Sequence, residues 1–199
     1  SFVRQDQPLY ETADQVAFAI RDEVVDLEKA GIGIIQVDEP AIRELLPLRE
    51  KGRDEYLRWA VAAFRLATSG VRAETQIHTH IGYSGLHIVV DAIEQLDADV
   101  TAIVATRSIT WVLDKLRGDR NDGLTRGVGP GVYESRSARI PDIDELEELL
   151  NQAAEAVDID RLWANPDGGL KTRHHWQLDP SLRNLVAAAR RLRRRATRG

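Results

Sequence analysis

The chain has 199 residues, 43% of them hydrophobic and 30% charged, enough for one sizeable core and at most two small domains. Its net charge of -5 and pI near 5.6 weigh against a nucleic-acid binder, which is ordinarily basic, and no apolar run reaches the length of a membrane span. The lack of any cysteine excludes disulfides, thiolate nucleophiles and cysteine-ligated metals.

The start, Ser1-Phe2-Val3-Arg4-Gln5-Asp6, has no apolar stretch behind its charge and does not read as a signal peptide, so a cytoplasmic location is expected. Methionine is absent even as an initiator, which suits a processed product, a fragment or an engineered piece. Residues 12–30 then read as a helix. Thr12 and Gln15 have capping-box spacing, Val16, Ile20, Val24 and Leu27 recur at helical period, and Gly31 is a stop signal. A short apolar strand over 32–37 ends at Asp38-Glu39-Pro40. A second helix, 53–68, carries Tyr56, Trp59, Ala60, Ala63, Phe64 and Ala67 on one stripe.

The alternation continues. Strand 75–81 precedes helix 86–96, and strand 100–105 precedes helix 108–117. Strand 126–133 is broken by Gly127, Gly129 and Gly131, which read as a device for strand curvature and not as a dinucleotide fingerprint. Helix 143–157 follows, with Asp142 at its cap and Glu145 three positions on. Strand 161–165 leads to helix 180–195, with Asp179 at the cap and Pro180 in the first turn. Five strands each followed by a helix predict an α/β protein with a parallel sheet, in a single domain over 1–199. The arginines at 190, 191, 193, 194, 195 and 198 read as a solvated, cationic helix end.

Functional groups of parallel α/β folds lie at the C-terminal ends of the strands. Here those ends read Asp38-Glu39-Pro40, His78-Thr79-His80, Thr106-Arg107-Ser108, Tyr133-Glu134-Ser135-Arg136-Ser137 and Asn165-Pro166-Asp167. Together they point to a site at one rim. His78 and His80 are two apart on a strand and share a face. With no cysteine available, a metal there would need a carboxylate such as Asp38 or Asp167. Otherwise one of the histidines is a packed, hydrogen-bonded core residue. Ser84 near His80 has no Gly-x-Ser-x-Gly setting, so a serine nucleophile has little support.

Several segments resemble signatures of the cobalamin-independent methionine synthase family. They are Val37-Asp38-Glu39-Pro40-Ala41-Ile42-Arg43-Glu44, Gln76-Ile77-His78-Thr79-His80, Leu96-Asp97-Ala98-Asp99-Val100, Gly129-Pro130-Gly131-Val132-Tyr133 and the run from Asn165 to Arg173. Their order and spacing match along nearly the whole chain. The resemblance implies a (βα)8 TIM barrel, represented here by about five βα units, that is, a partial barrel. It also implies methyl transfer from 5-methyltetrahydropteroyl-polyglutamate to homocysteine, with zinc turning the homocysteine thiol into a thiolate.

Carried over residue by residue, the resemblance implies that Asp38 binds the homocysteine amino group, Glu44 contacts the folate and His80 stands at a zinc-ligand position. The other three zinc positions hold Gly82, Val104 and Gly168, and the family's histidine proton donor is Arg136. Glycine and valine offer no metal donor, and arginine stays protonated near neutral pH. The chain is thus expected to bind no zinc cofactor and to be inactive in isolation. Two other readings stay open. One is a non-catalytic binding or structural partial barrel. The other is a different enzyme using His78, His80 and Asp38 at the same rim. Five units cannot close an eight-stranded barrel, so the chain should form either a partial barrel with its edges covered by self-association or by a chain supplying the missing strands, or a compact open parallel sheet. Neither a nucleic-acid nor a membrane partner is expected.

Overall fold

The computed structural model describes residues 4–39, 41–82, 86–105, 114, 126–171 and 173–197. The chain forms two compact units, Ser1–Val100 and Thr101–Gly199. The predicted helix 108–117 apart from Asp114, which is helical, lies outside the described residues, as do Thr106-Arg107-Ser108, Ser84 and Arg198. No described helix is long and apolar enough to cross a membrane.

In the first unit, helix α1 (Leu9–Lys29) leads to strand β1 (Ile34–Gln36), short helix α2 (Ala41–Glu44) and helix α3 (Arg53–Thr68). Strand β2 (Gln76–Ile81) and helix α4 (Leu86–Gln95) follow, then the head of strand β3 (Val100–Ile103). β1 and β2 are parallel, with Ile34 opposite Gln76, Ile35 opposite Ile77 and Gln36 opposite His78. The alternation expected of βα units is therefore what the chain adopts.

α1 begins before the predicted cap. Pro8 is its N-cap, and Thr12 lies within the helix, where its hydroxyl accepts from the Gln7 side-chain amide at 2.7 Å. Proline before the first turn starts the helix without losing a bonded N–H, so Thr12 is not needed as a cap. The predicted stripe holds at Val24, with Ile20 and Leu27 half-buried, and departs from the prediction at its first position. Ala17 and Val24 are buried, whereas Val16 is exposed. α1 packs on α3, whose Tyr56, Ala60, Val61, Phe64 and Ala67 are buried. The helix stops as expected. Gly31 has φ +90°, its N–H donates to Glu28 O at 2.8 Å, and the Ile32 N–H donates to Leu27 O at 3.1 Å. This pair of bonds closes the helix with a left-handed residue, which glycine adopts without a Cβ penalty. Asp97 takes the same left-handed conformation, φ 65°, after α4, and aspartate is among the few residues that tolerate it.

The chain entering β2 is tied down by Glu28. Its carboxylate accepts from the Arg72 N–H at 2.8 Å and from the Thr75 hydroxyl. At the other side of β2, the Asp99 carboxylate accepts from Ile77 N–H and the Asp99 N–H donates to Ile77 O, both at 2.8 Å.

In the second unit, β3 lies beside strand β4 (Gly127–Pro130). Helices α5 (Ile143–Ala154) and α6 (His175–Ala196) complete it. The predicted fifth strand is reduced to a 3-10 turn, Ile159–Arg161, and two isolated parallel bridges, Val128 to Leu162 and Gly131 to Asn165. An added Cβ at Gly129 would stand 2.8 Å from Asn165 Cγ, and one at Gly131 would stand 2.7 Å from Asp167 Cα. The glycines thus serve close approach of segment 165–167, a role that was not among the expectations for them.

Asp142 caps α5 by accepting the Asp144 N–H at 2.8 Å. The predicted start of the last helix is corrected. α6 begins at His175, with His174 as N-cap and Pro180 inside it. The Gln177 side chain accepts the His174 N–H at 3.4 Å, a bond that sets the start a full turn before Asp179. Val132, Tyr133, Leu146, Leu150, Leu185 and Ala188 form the core under α5 and α6. Between these helices the buried Glu147 carboxylate stands 3.1 Å from Arg191 and 2.6 Å from Arg195.

Gly129→Ala and Gly131→Ala should each lower stability by about 1–3 kcal/mol, because backbone or a packed side chain must shift. Gly82→Ala, where a Cβ meets nothing within 4 Å, should stay within about 0.5 kcal/mol. Urea midpoints of the three variants make the comparison.

Candidate functional site

β2 ends the first unit's part of the candidate rim. The β1–β2 register continues past the strands, since the Val37 N–H donates to His78 O at 2.9 Å and the Glu39 N–H to His80 O at 3.2 Å. One further pair of residues places Asp38 opposite His80, on the same face and at the same C-terminal end. Asp38 is exposed and His80 half-buried. The Asp38 carboxylate accepts from Gln36 Nε2 at 2.7 Å, which braces it along its own strand.

His78 shares this face, one pair deeper, as expected from its spacing. It is buried, and its Nε2 stands 3.1 Å from Gln76 Oε1. Burial pushes the His78 pKa below the ordinary histidine value, and the negative charge of Asp99 works against that shift. Thr79 faces the other way. It is fully buried and its hydroxyl has no hydrogen-bond partner among the described residues, so this member of the polar cluster belongs to the packing side of the strand.

Glu44 sits in α2 and is exposed. Gly82 follows β2 with open space where a Cβ would stand. Sequence reasoning missed Tyr56 as a neighbour of this region. Burial, and then the charge of Glu39, push its phenol up to about 12. The only sequence signal was an aromatic on the buried stripe of α3, which does not separate a core tyrosine from a rim tyrosine.

In the second unit the strand ends are joined by Asp167. Its buried carboxylate accepts the Ala105 N–H at 2.7 Å, and its own N–H donates to Tyr133 O at 2.9 Å. Asn165 Nδ2 donates to Gly129 O at 3.3 Å. Asp167 therefore has a backbone-organising role at the rim, different from the metal-ligand role considered from composition. Tyr133 is buried, and its hydroxyl has no hydrogen-bond partner among the described residues. Burial raises its pKa, while the positive charge of Arg173 works against the rise. Ser135 is buried, Arg136 is exposed in the turn after β4, and Val104 and Gly168 are partly exposed. Among the described residues no three His, Cys, Asp or Glu side chains converge as a metal cluster.

Residues 1–191 match the family described as "Cobalamin-independent synthase, Catalytic domain". The chain is 60% identical over 193 residues to the 5-methyltetrahydropteroyltriglutamate–homocysteine methyltransferase of Mycobacterium bovis, and 58% identical to that of Rhodococcus jostii. Each alignment covers 97% of this chain and 25% of the relative, so the chain spans about a quarter of those proteins' length. A B12-independent methionine synthase from Shewanella, solved with selenomethionine, superposes on 98% of this chain and 58% of its own, with a TM-score of 0.79 at 20% identity. That likeness carries the fold, the parallel βα architecture of a partial TIM barrel.

Two predictions follow from these geometries. Asp167→Ala should cost about 1–3 kcal/mol by stranding the buried Ala105 N–H, and Asp167→Asn less, since an amide oxygen still accepts; chemical denaturation reads both. His78 should titrate below about 6.5. A lowered histidine pKa means that the unfolded chain takes up the proton first. The His78 contribution is therefore complete above about pH 6.5 and is lost as pH falls toward the lowered folded value. NMR titration of the ring locates that value, and His78→Gln should flatten this limb of the stability profile.

Proposed function

Because the chain belongs to the cobalamin-independent methionine synthase family, we propose that it keeps part of that family's substrate-binding rim without the family's metal-activated chemistry. The observation that carries this reading is a selective loss. The motifs that build the rim are present, while Gly82, Val104, Gly168 and Arg136 occupy the positions of three zinc ligands and the proton donor.

The family uses zinc, and the residues of this chain do not fit it. A catalytic zinc takes three protein ligands and keeps one position open. Of the four family positions only His80 brings a donor atom. Arg136 holds its proton too tightly to act as a general acid. No step through a metal is available to these side chains.

What remains is recognition. Asp38, braced by Gln36, presents a carboxylate that suits the ammonium of an amino acid such as homocysteine. Glu44 on α2 offers an acceptor for the N–H groups of a pterin. The remaining chemistry of the rim, acid–base catalysis by His78, His80 and Asp38, is weakened by the burial of His78 and its contact with Gln76.

The chain, purified without chelator or metal-affinity tag, should hold zinc far below one equivalent and form no methionine from methyltetrahydropteroyl-polyglutamate and homocysteine. Calorimetry should detect homocysteine, with Asp38→Ala weakening it roughly tenfold or more, the loss of a hydrogen bond to a charged group. Near-stoichiometric zinc that disappears in His80→Ala would overturn this reading, because ligands other than the family's would then have rebuilt the site.

A further inference from the structure

The outward faces of α1 and α6 are unlike ordinary solvated helix surfaces. On α1, Leu9 and Val16 are 45% and 53% exposed. They lie seven residues apart on one stripe, which Glu23 continues, with Asp26 three residues on at its flank. On α6, Leu182 and Val186 are 36% and 47% exposed. They begin an i, i+4 row that Arg190 and Arg194 continue. A groove of about 610 Å³ follows that row, lined by Leu182, Arg183, Val186, Ala187, Arg190 and Arg194, with Arg191 at its side.

The charges of the two faces are opposite. α1 carries six acids against two bases, a net of -4, and α6 carries six arginines against one aspartate, a net of +5 with histidine neutral. Arg191 and Arg195 are already committed to Glu147. Arg183, Arg190 and Arg194 have no ion-pair partner among the described residues, nor does Glu23, while Asp26 has only the exposed Lys29 of its own helix, at 3.0 Å.

The two patterns also run the same way. In each helix the apolar pair comes first and the charges follow toward the C-terminus. On α1, Val16 precedes Glu23 and Asp26 by about 10–15 Å at 1.5 Å per residue. On α6, Val186 precedes Arg190 and Arg194 by about 6–12 Å, and the length of an arginine side chain covers the difference. Laid parallel, the helices match apolar to apolar and acid to base. Laid antiparallel, they set acids against the apolar pair.

We infer that α6 of one copy of this chain docks in parallel on α1 of a second copy. Leu182 and Val186 would cover Leu9 and Val16, and Arg190 and Arg194 would meet Glu23 and Asp26. The contact is heterologous, since different patches meet, so it propagates from copy to copy or closes a ring. It is independent of the rim and of its proposed ligands.

Sedimentation velocity of the purified chain over a concentration series tests this. Association should rise with concentration and weaken between about 0.1 and 1 M salt, across which the screening length falls from about 10 to about 3 Å. Arg190→Glu with Arg194→Glu should raise the dissociation constant roughly tenfold or more without lowering the melting temperature, because neither residue holds the fold. Mixing that variant with Glu23→Arg/Asp26→Arg should restore association between the two. A chain that stays monomeric at every concentration would overturn the inference. So would association indifferent to the arginine reversals, which would assign it to another surface. A monomer that instead co-sediments with phosphatidylserine vesicles would also overturn it, giving this face to an anionic surface.

Discussion

The second unit depends on a buried aspartate that does the work of a strand. Asp167 accepts the Ala105 N–H at the end of β3 and donates its own N–H to Tyr133 beyond β4. A side chain and a backbone group of one residue thus fix three successive chain segments at their C-terminal ends. Buried carboxylates are costly unless hydrogen-bonded, and this one is placed where a backbone donor would otherwise be orphaned. Gly129 and Gly131 are the condition for it. Only residues without a Cβ let segment 165–167 come close enough for the bond to form.

That constraint separates what the fold needs from what the family's chemistry needs. The rim is held by backbone ladders, by Asp167 and by glycines at points of close approach. None of these depends on the side chains at Gly82, Val104, Gly168 or Arg136. At Gly82 the missing side chain leaves open space and disturbs no contact. Metal donors can therefore be absent while the scaffold stands, because a ligand side chain points into the site and contributes little to the packing beneath it. Asp38 and His80 illustrate the complementary case. Their opposition follows from the β1–β2 register, which the hydrophobic residues on the buried face enforce.

α6 shows the same division on the protein's outside. One side of the helix is organised around a buried acid, with Glu147 held between Arg191 and Arg195. A buried carboxylate of this kind is tolerated because two cations and good geometry offset its desolvation. The adjacent side carries apolar residues and arginines without such partners. An arginine-rich helix end is thus two surfaces, one structural and one outward, and only the first is explained by the unit's own packing.

By itself the sequence determined the βα alternation, the span of α3, the Asp142 cap and the stop at Gly31. These rest on local periodicity and on residue types with fixed backbone preferences. It also determined the family and the loss of metal donors, because those are statements about side-chain identity. The tertiary structure alone decided the rest. It exposed Val16 and buried Ala17, because packing selects which of two adjacent positions is covered and periodicity does not rank neighbouring stripes. It began α6 at His175, ahead of the Asp179-Pro180 pair, through a bond between His174 and Gln177 that competes with a common start signal. It reduced the fifth strand to two bridges and made the glycines a cradle, since the side chains that press on Gly129 and Gly131 come from Asn165 and Asp167, more than thirty residues away. Such contacts are set by three-dimensional closeness, which a local reading of the chain does not contain.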